Sequence, residues 1–425
     1  MKHVVGISLG ASSQDFEFTT SLWGVRLKVS RVGADGNLER ATELAHLWGD
    51  QAAVLGLGVD QDSDDLMALI GPYRGTATLT TGTRLGGILQ EWSVRHAQHQ
   101  LGGLFNNART LFLSGLQDYR VALALSEYTS NLQFADPVLQ LGVPKLLGSV
   151  EALNRYADGA HYVKDWSLPA ALNRGPVKEW ARFVVRKALQ KASVVVAPIH
   201  LLDDFDLEAL AGKVVIAANV NEARMATLRD KGVSTVIDGA PVLQGHSLGP
   251  HLLDSIVIAA TGKHPEDLME DDYLEAIAAL KLEPRVVLPN GFQRTNRFAF
   301  VIHPLSQEYF KKLKPIEMLS QVSPPVFMNS LERILAYTPP FVYSKVSGIE
   351  SPTGARAEGW LISVGGTPKE IMRHDPEFTY RRLLDAAAMA QRLGAQIMGL
   401  GAFTKVVGDA GVTVAKRAPL PITTG

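Results

Sequence analysis

The feature that most constrains this chain is the rhythm of its middle, where short apolar runs rich in β-branched residues alternate with helical segments from about 106 to 290. Thr110 to Leu113 reads as a strand, and a helix through Val121 to Tyr128 follows Ser114-Gly115 at once. Val194 to Ala197, Val214 to Ala218 and Ser234 to Ile237 are further strands, with a helix from Glu222 to Lys231 before the last. Strand, helix, strand in this order requires right-handed crossovers and a mostly parallel sheet. The expectation is a multi-domain α/β protein with a Rossmann-like sheet in the middle and a smaller α/β domain at the C-terminus.

A dinucleotide-binding sheet of this kind opens its first helix with Gly-x-Gly-x-x-Gly, whose glycines supply the tight turn, the approach to the pyrophosphate and the helix packing. Here the same place reads Ser114-Gly115-Leu116-Gln117-Asp118-Tyr119-Arg120, with one glycine for three. Ser114 and Gly115 are the cofactor-binding candidates that remain. A second anion candidate is Gln244-Gly245-His246-Ser247-Leu248-Gly249-Pro250-His251, ahead of the apolar helix Leu252 to Ala260. Free backbone N–H groups near Gly245 and Gly249, the Ser247 hydroxyl and a titratable His246 would converge there on a phosphate or carboxylate. An ordinary capped turn explains the same residues.

Residues 1–105 form a small α/β domain by pattern: strands at Val4 to Leu9, Phe16 to Leu22 and Val25 to Val32, a helix from about Asn37 to Trp48, and a strand from Ala52 to Leu57. His96 and His99 share a helix face, but the further ligands a metal needs are not in sight, so no metal site is assigned. Glu283-Pro284 and Pro289-Asn290-Gly291 punctuate the chain before a third domain, 297–425. Within it Asp375 as N-cap, Pro376 at the first helical position and Gly394 at the exit bound a helix. A short strand from Gln396 to Leu400 then runs into the loop Gly399 to Lys405.

Charge and composition narrow the function. Forty-two Lys and Arg stand against 43 Asp and Glu, without runs of either sign, which removes the electrostatic footprint of a nucleic-acid binder. With no cysteine, a thiol nucleophile or thiolate metal site is excluded within this chain. No stretch approaches the roughly 20 apolar residues of a membrane span, and the N-terminus reads as a strand rather than a signal peptide; a cytoplasmic protein is expected, with a homo-oligomer allowed.

Three resemblances follow from these motifs. Gly6-Ile7-Ser8-Leu9-Gly10-Ala11-Ser12-Ser13 before a β-ribbon resembles the opening of sugar-kinase and actin-type ATPases, but Ser8 and Leu9 stand where those folds place an aspartate. Val5-Gly6-Ile7-Ser8-Leu9-Gly10, Arg31-Val32-Gly33-Ala34-Asp35-Gly36 and Thr261-Gly262-Lys263-His264-Pro265-Glu266-Asp267 resemble bacterial proteins labelled quinate or shikimate 5-dehydrogenase, although the Asn-Val-Thr-x-Pro-x-Lys substrate motif is missing. Phe298-Ala299-Phe300-Val301-Ile302-His303-Pro304-Leu305, Pro339-Pro340, Thr353-Gly354, Leu400-Gly401-Ala402-Phe403-Thr404 and Thr423-Thr424-Gly425 resemble, in order, the N-terminal domain of long-chain acyl-ACP reductases, which form aldehydes with NADPH. In that family a glycine-rich NADP-binding domain follows. The resemblance implies a chain truncated before it, or a cofactor domain on another polypeptide, with NADP or NAD bound mainly beyond residue 425.

The expected function is an NAD(P)-dependent oxidoreductase, or the substrate-side part of one, acting on a carbonyl or hydroxyl of a small anionic acid or an acyl thioester. Gly399, Gly401, Thr404, Thr423 and Thr424 are the substrate-side candidates in the third domain. Lys405 is the candidate proton donor and Asp409 its partner. The alternative is a non-catalytic binding or scaffold protein built from degenerate dehydrogenase-like domains, which the broken fingerprint favours.

Overall fold

The computed structural model describes residues 1–58, 73, 75–163, 176–218, 220–291, 295–303, 337–352, 354–367, 371–401 and 409–424. It falls into two compact units, one of residues 1–104, 110–127 and 132–291, the other of 105–109, 128–131 and 292–425.

The first unit contains two sheets. Strands β1 (Lys2–Ser8), β2 (Phe16–Leu22), β3 (Val25–Gly33), β4 (Val54–Gly58) and β5 (Thr78–Thr80) form the first, in the order β2-β3-β1-β4-β5, with helix α1 (Leu38–Trp48) between β3 and β4 in the chain. Only β2 is antiparallel. Its hairpin to β3 turns on Trp23 and Gly24, both at positive φ, as a two-residue turn matched to strand twist requires. Helix α2 (Thr83–Gln100) leaves the first sheet and leads to the second.

The second sheet is built from β6 (Thr110–Phe112), α3 (Tyr119–Ser126), β7 (Leu132–Phe134), α4 (Asp136–Leu141), α5 (Val150–Val163), α6 (Pro176–Lys191), β8 (Val194–Val196), β9 (Val214–Ala217), α7 (Glu222–Asp230) and β10 (Thr235–Asp238). These strands are parallel in the order β10-β9-β8-β6-β7. Numbered within the sheet, that is 2-1-3-4-5, the doubly wound arrangement whose order reverses between β6 and β8. The expected α/β class and mostly parallel sheet are what the chain adopts.

A small hairpin, β11 (Val242–Leu243) and β12 (His246–Ser247), then leads to α8 (Pro250–Thr261) and α9 (Glu270–Ala279), before β13 (Arg285–Val287) adds an antiparallel edge to β10. Helices α8 and α9 do not cover the second sheet. They share a core with the first: Leu252, Leu253, Ile256, Val257, Tyr273 and Ile277 pack with Val4, Leu27, Val29 and Val54. Leu252 through Ala259 of α8 are all buried, so the helix needs cover on every side. Burying each of its Leu, Ile and Val side chains is worth roughly 1.5–3 kcal/mol. Two glycines admit it: Gly6 and Gly56 are neighbours in register on β1 and β4. A Cβ on Gly6 would stand 2.9 Å from Leu252 Cδ1, and one on Gly56 only 2.4 Å from the His251 carbonyl oxygen.

The second unit holds one sheet of β14 (Thr295–Ile302), β15 (Phe341–Glu350), β16 (Arg356–Ser363), β17 (Ile397–Leu400) and β18 (Ile422–Thr423), with α10 (Pro376–Leu393) and α11 (Val412–Arg417). The order is β15-β16-β14-β17-β18, and β15 and β16 make an antiparallel pair. Helix α10 is bounded as the sequence requires. Asp375 accepts a hydrogen bond from the Glu377 N–H, Pro376 opens the helix and Gly394 closes it at φ 90°. Its Leu383, Ala386, Ala387 and Ala390 pack on Ala299, Val301 and Ile362.

Candidate functional site

In the first unit the carboxyl ends of both sheets meet the same helix. β5 ends at Thr80 and α2 starts at Thr83. The residue after β10 is Gly239, where a Cβ would lie 3.2 Å from the Gln90 Cα. Thr83 to Gln90 is about 10 Å of helix at 1.5 Å per residue. Ligands of open α/β sheets bind outside the carboxyl ends of strands, at the reversal point of the order. In the second sheet that point is the exit of β6.

There the chain runs through Ser114, Gly115 and Leu116, and the residues that answer it come from the end of β7. Parallel pairing sets Phe112 level with Phe134, so Asp136 arrives beside residues 114–116. Its Oδ2 accepts from the Gly115 N–H at 2.9 Å and its Oδ1 from the Leu116 N–H at 3.0 Å. Gly115 has no room for a side chain, since a Cβ would come 2.4 Å from Phe134 Cδ1. Asp136 is fully buried; burial raises its pKa, against the pull of those two amides.

Asp118, just before α3, is 6% exposed, and its Oδ2 is sealed without a hydrogen-bond partner. Desolvation pushes its carboxyl up to about 7; the Gln90 amide donates to it and lowers it, and the Asp136 charge adds a smaller rise. A carboxyl titrating near neutrality at the reversal point of a doubly wound sheet marks a site candidate.

The first sheet presents an imidazole at its own carboxyl edge. His251, on the first turn of α8, lies so close to Gly58 and Gly249 that a Cβ on either would sit 2.5 Å or 2.6 Å from its Cε1. Its Nε2 is buried with no partner. Burial pushes its pKa down to about 4, helped by the Arg31 charge, so the ring is neutral at pH 7. Arg31 itself pairs with Asp15 at 3.0 Å. One turn on, Asp254 is buried, accepts from the Thr80 hydroxyl, and leaves Oδ1 unpartnered. Burial raises the Asp254 pKa, opposed by the Thr80 and Tyr273 hydroxyls.

The residues singled out from sequence fall in several places. Ser114 and Gly115 lie at the reversal point, their turn already occupied by Asp136. Gly245 and His246 belong to the β11–β12 hairpin, which turns on Gln244 and Gly245 at positive φ. The His246 ring stacks on Phe16 at 4.2 Å, Gln244 donates to the Thr19 carbonyl at 2.9 Å, and Ser247 is exposed. That hairpin packs on β2, and of this set only Gly249 meets the His251 ring. Gly399 and Gly401 underlie Phe300 and the Val301 carbonyl, and Thr423 pairs with Gly399. The Thr424 methyl would meet a Cβ on Gly411 at 3.1 Å. Asp409 accepts from the Thr413 N–H at 2.9 Å and hydroxyl at 2.6 Å, which lower its pKa, while its own N–H donates to the Tyr380 oxygen at 3.2 Å. Its carboxylate is thus committed to the start of α11. Thr404 and Lys405 lie outside the described residues.

Asp118, Asp136, His251 and Asp254 were not singled out. The signal for Asp254 was in plain sight, a carboxylate inside Leu252-Leu253-Asp254-Ser255-Ile256, since unpaired acids are rarely buried without a reason. Asp118 and Asp136 carry no such signal, since each stands at the start of a helix, where an acidic residue is ordinary. Among the described residues no group of three or more His, Asp or Glu side chains is placed to hold a metal ion, and no helix is long and apolar enough to cross a membrane.

Two family models match the chain. Residues 84–289 match one described as Domain of unknown function (DUF8754), and residues 3–75 one described as Domain of unknown function (DUF8753). Aminotransferase PigE of Serratia sp. (strain ATCC 39006) is 28% identical over 142 residues, a match that takes in 30% of this chain and 15% of that protein. The chain thus spans well under a fifth of that relative's length. Among solved structures, the hetero-hexameric glutamate dehydrogenase from Thermus thermophilus in its Leu-bound form is 15% identical over 66% of this chain and 74% of that one, with a TM-score of 0.34. A galactofuranose binding protein is 11% identical over 68% and 95%, with a TM-score of 0.28. Scores at this level leave the fold to be argued from strand order itself. These matches add nothing to the resemblances with quinate or shikimate dehydrogenases and acyl-ACP reductases.

Proposed function

We propose that the chain is the substrate-side part of an NAD(P)-dependent oxidoreductase acting on a carbonyl or hydroxyl group, with the substrate between the two carboxyl edges of the first unit. The observation that carries this reading is Asp118, a buried carboxyl raised to about 7 with a free oxygen at the reversal point. Interconverting a carbonyl and an alcohol requires a proton to be delivered to, or taken from, the reacting oxygen. A carboxyl with its pKa near the working pH serves both directions. The neutral His251 imidazole offers Nε2 as a further hydrogen-bonding group.

The Ser114–Leu116 turn does not fit a dinucleotide. Its Gly115 and Leu116 amides are taken by Asp136, and Asp118 stands beside them, so a pyrophosphate would meet carboxylates where it needs N–H groups. NADP or NAD in this reading is therefore held by a cofactor domain or polypeptide apart from this turn. The same closed turn favours a second reading, a non-catalytic protein that binds its small molecule in the crevice.

The reading is tested by thermal stabilisation of the purified chain with panels of hydroxy acids, aldehydes and acyl thioesters, and with NADPH and NADH, from pH 5.5 to 8.5. A stabilising substrate should show an inflection near pH 7 that disappears in Asp118→Asn. An unchanged profile in that variant overturns the assignment of Asp118. Stabilisation by small molecules with no turnover when a reductase partner and cofactor are supplied selects the binding-protein reading.

A further inference from the structure

We infer that Asp136 is a resident anion, a carboxylate of the chain itself that fills the phosphate position of the second sheet and so bars phosphate-bearing ligands from it. A doubly wound sheet normally offers an anion the backbone N–H groups of the turn between its first strand and first helix. In this chain that turn is Ser114 to Leu116, and two consecutive N–H groups point to the two oxygens of one carboxylate, at 2.9 Å and 3.0 Å. The carboxylate comes from the first residue of α4, just past the end of the adjacent parallel strand β7, and is fully withdrawn from solvent. No free anion could reach those amides without displacing it.

The surroundings agree. Gly115 is pressed against Phe134 and Leu153, and even a Cβ there would stand 3.1 Å from the Asp136 Oδ2. Asp118, 94% withdrawn from solvent by its 6% exposure, has an unpartnered Oδ2 on the same edge. A second anion placed beside these two carboxyls would be repelled and desolvated at once. What the Asp118 oxygen lacks is a hydrogen-bond donor, which a phosphate oxygen is not. This inference stands on the turn geometry and not on the reaction proposed above. The two fail separately, because the test below uses no substrate and reads no turnover.

The probe is inorganic pyrophosphate, followed by isothermal titration and by thermal stabilisation of the full chain, with wild type, Asp136→Asn and Asp136→Ala. Wild type should show no saturable binding up to millimolar pyrophosphate. Asp136→Ala frees both amides and should gain binding at least tenfold tighter than wild type, with a pyrophosphate-dependent recovery of the melting temperature it loses. Asp136→Asn, which keeps one acceptor in place, should gain less. A folded Asp136→Ala with no gain overturns the inference. Should the alanine variant fail to fold, hydrogen exchange of the Gly115 and Leu116 amides in wild type decides: slow exchange unaffected by pyrophosphate supports a resident anion, and pyrophosphate-induced protection overturns it.

Discussion

The sharpest consequence of the buried Asp118 concerns stability. Its carboxyl sits at about 7 in the folded chain against an ordinary value of 3.8. A raised acid pKa means that the folded state holds the proton more tightly than the unfolded one. Its contribution is fully present below pH 3.8 and is lost as pH rises toward 7, because the unfolded chain ionises first. At 1.36 kcal/mol per pKa unit, the roughly 3-unit gap amounts to about 4 kcal/mol lost between pH 4 and pH 7. A neutral isostere abolishes the dependence. Asp118→Asn should therefore match wild type near pH 4 and exceed it by up to about 4 kcal/mol at pH 8.

Urea midpoints at half-unit pH steps, read by circular dichroism and by tryptophan fluorescence, provide the measurement. His251 titrates in the same window in the opposite sense, but it is common to both proteins and cancels in the difference. The difference should be flat below pH 4, rise by about 1.4 kcal/mol per unit and level off near 7. A difference independent of pH would mean that Asp118 ionises normally in the fold, and the proton-transfer role would fall with it. An acid that costs this much stability is the trade expected at a working site and not at a structural cap.

Other expectations follow from the same geometry. His251 has a folded pKa of about 4 against 6.5, so its contribution is present above pH 6.5 and lost as pH falls through 4; His251→Gln should lose roughly 3 kcal/mol less than wild type across that interval. Gly56→Ala forces a Cβ to within 2.4 Å of the His251 carbonyl and should lower the urea midpoint by the equivalent of about 1–3 kcal/mol. Gly148→Ala, with nothing within 4 Å, should stay within about 0.5 kcal/mol of wild type. In the second unit, Asn107 donates to the Gln391 and Ala395 carbonyls; Asn107→Ala should cost about 1–3 kcal/mol by taking the donor from Ala395, since the Gln391 carbonyl keeps the Asn131 amide and the Gly394 N–H.

Local structure was legible where one stretch of chain decides it. Asp375, Pro376 and Gly394 bounded α10, and the apolar runs at β6, β8, β9 and β10 were visible as strands. Strand order was not, because 2-1-3-4-5 depends on which strand each crossover reaches, and the helices carry no mark of it. The return of α8 to the first sheet was hidden for a related reason: a helix apolar on every side has no face that names its neighbour, and the glycines that admit it are at positions 6 and 56. The Asp136 carboxylate reaches Gly115 only because β6 and β7 are adjacent and in register, a fact of pairing 22 residues apart. By sequence, Ser114 and Gly115 were a weakened phosphate turn; by structure, the turn is satisfied from within.

Asp136 and Asp118 are also coupled, and the coupling separates their roles. Desolvation is the largest cause of the raised Asp118 pKa, and the Asp136 charge is a lesser one. Replacing Asp136 with Asn removes the charge and leaves the burial. The inflection assigned to Asp118, whether in ligand binding or in the stability difference, should then move to lower pH without reaching the ordinary carboxylate range. If it returned to that range, charge repulsion and not burial would hold the proton on Asp118, and the edge would be a shared-proton pair of the kind two close carboxylates form. If it did not move, the two carboxyls would not sense each other. The anion in the turn would then have no hand in tuning the acid beside it.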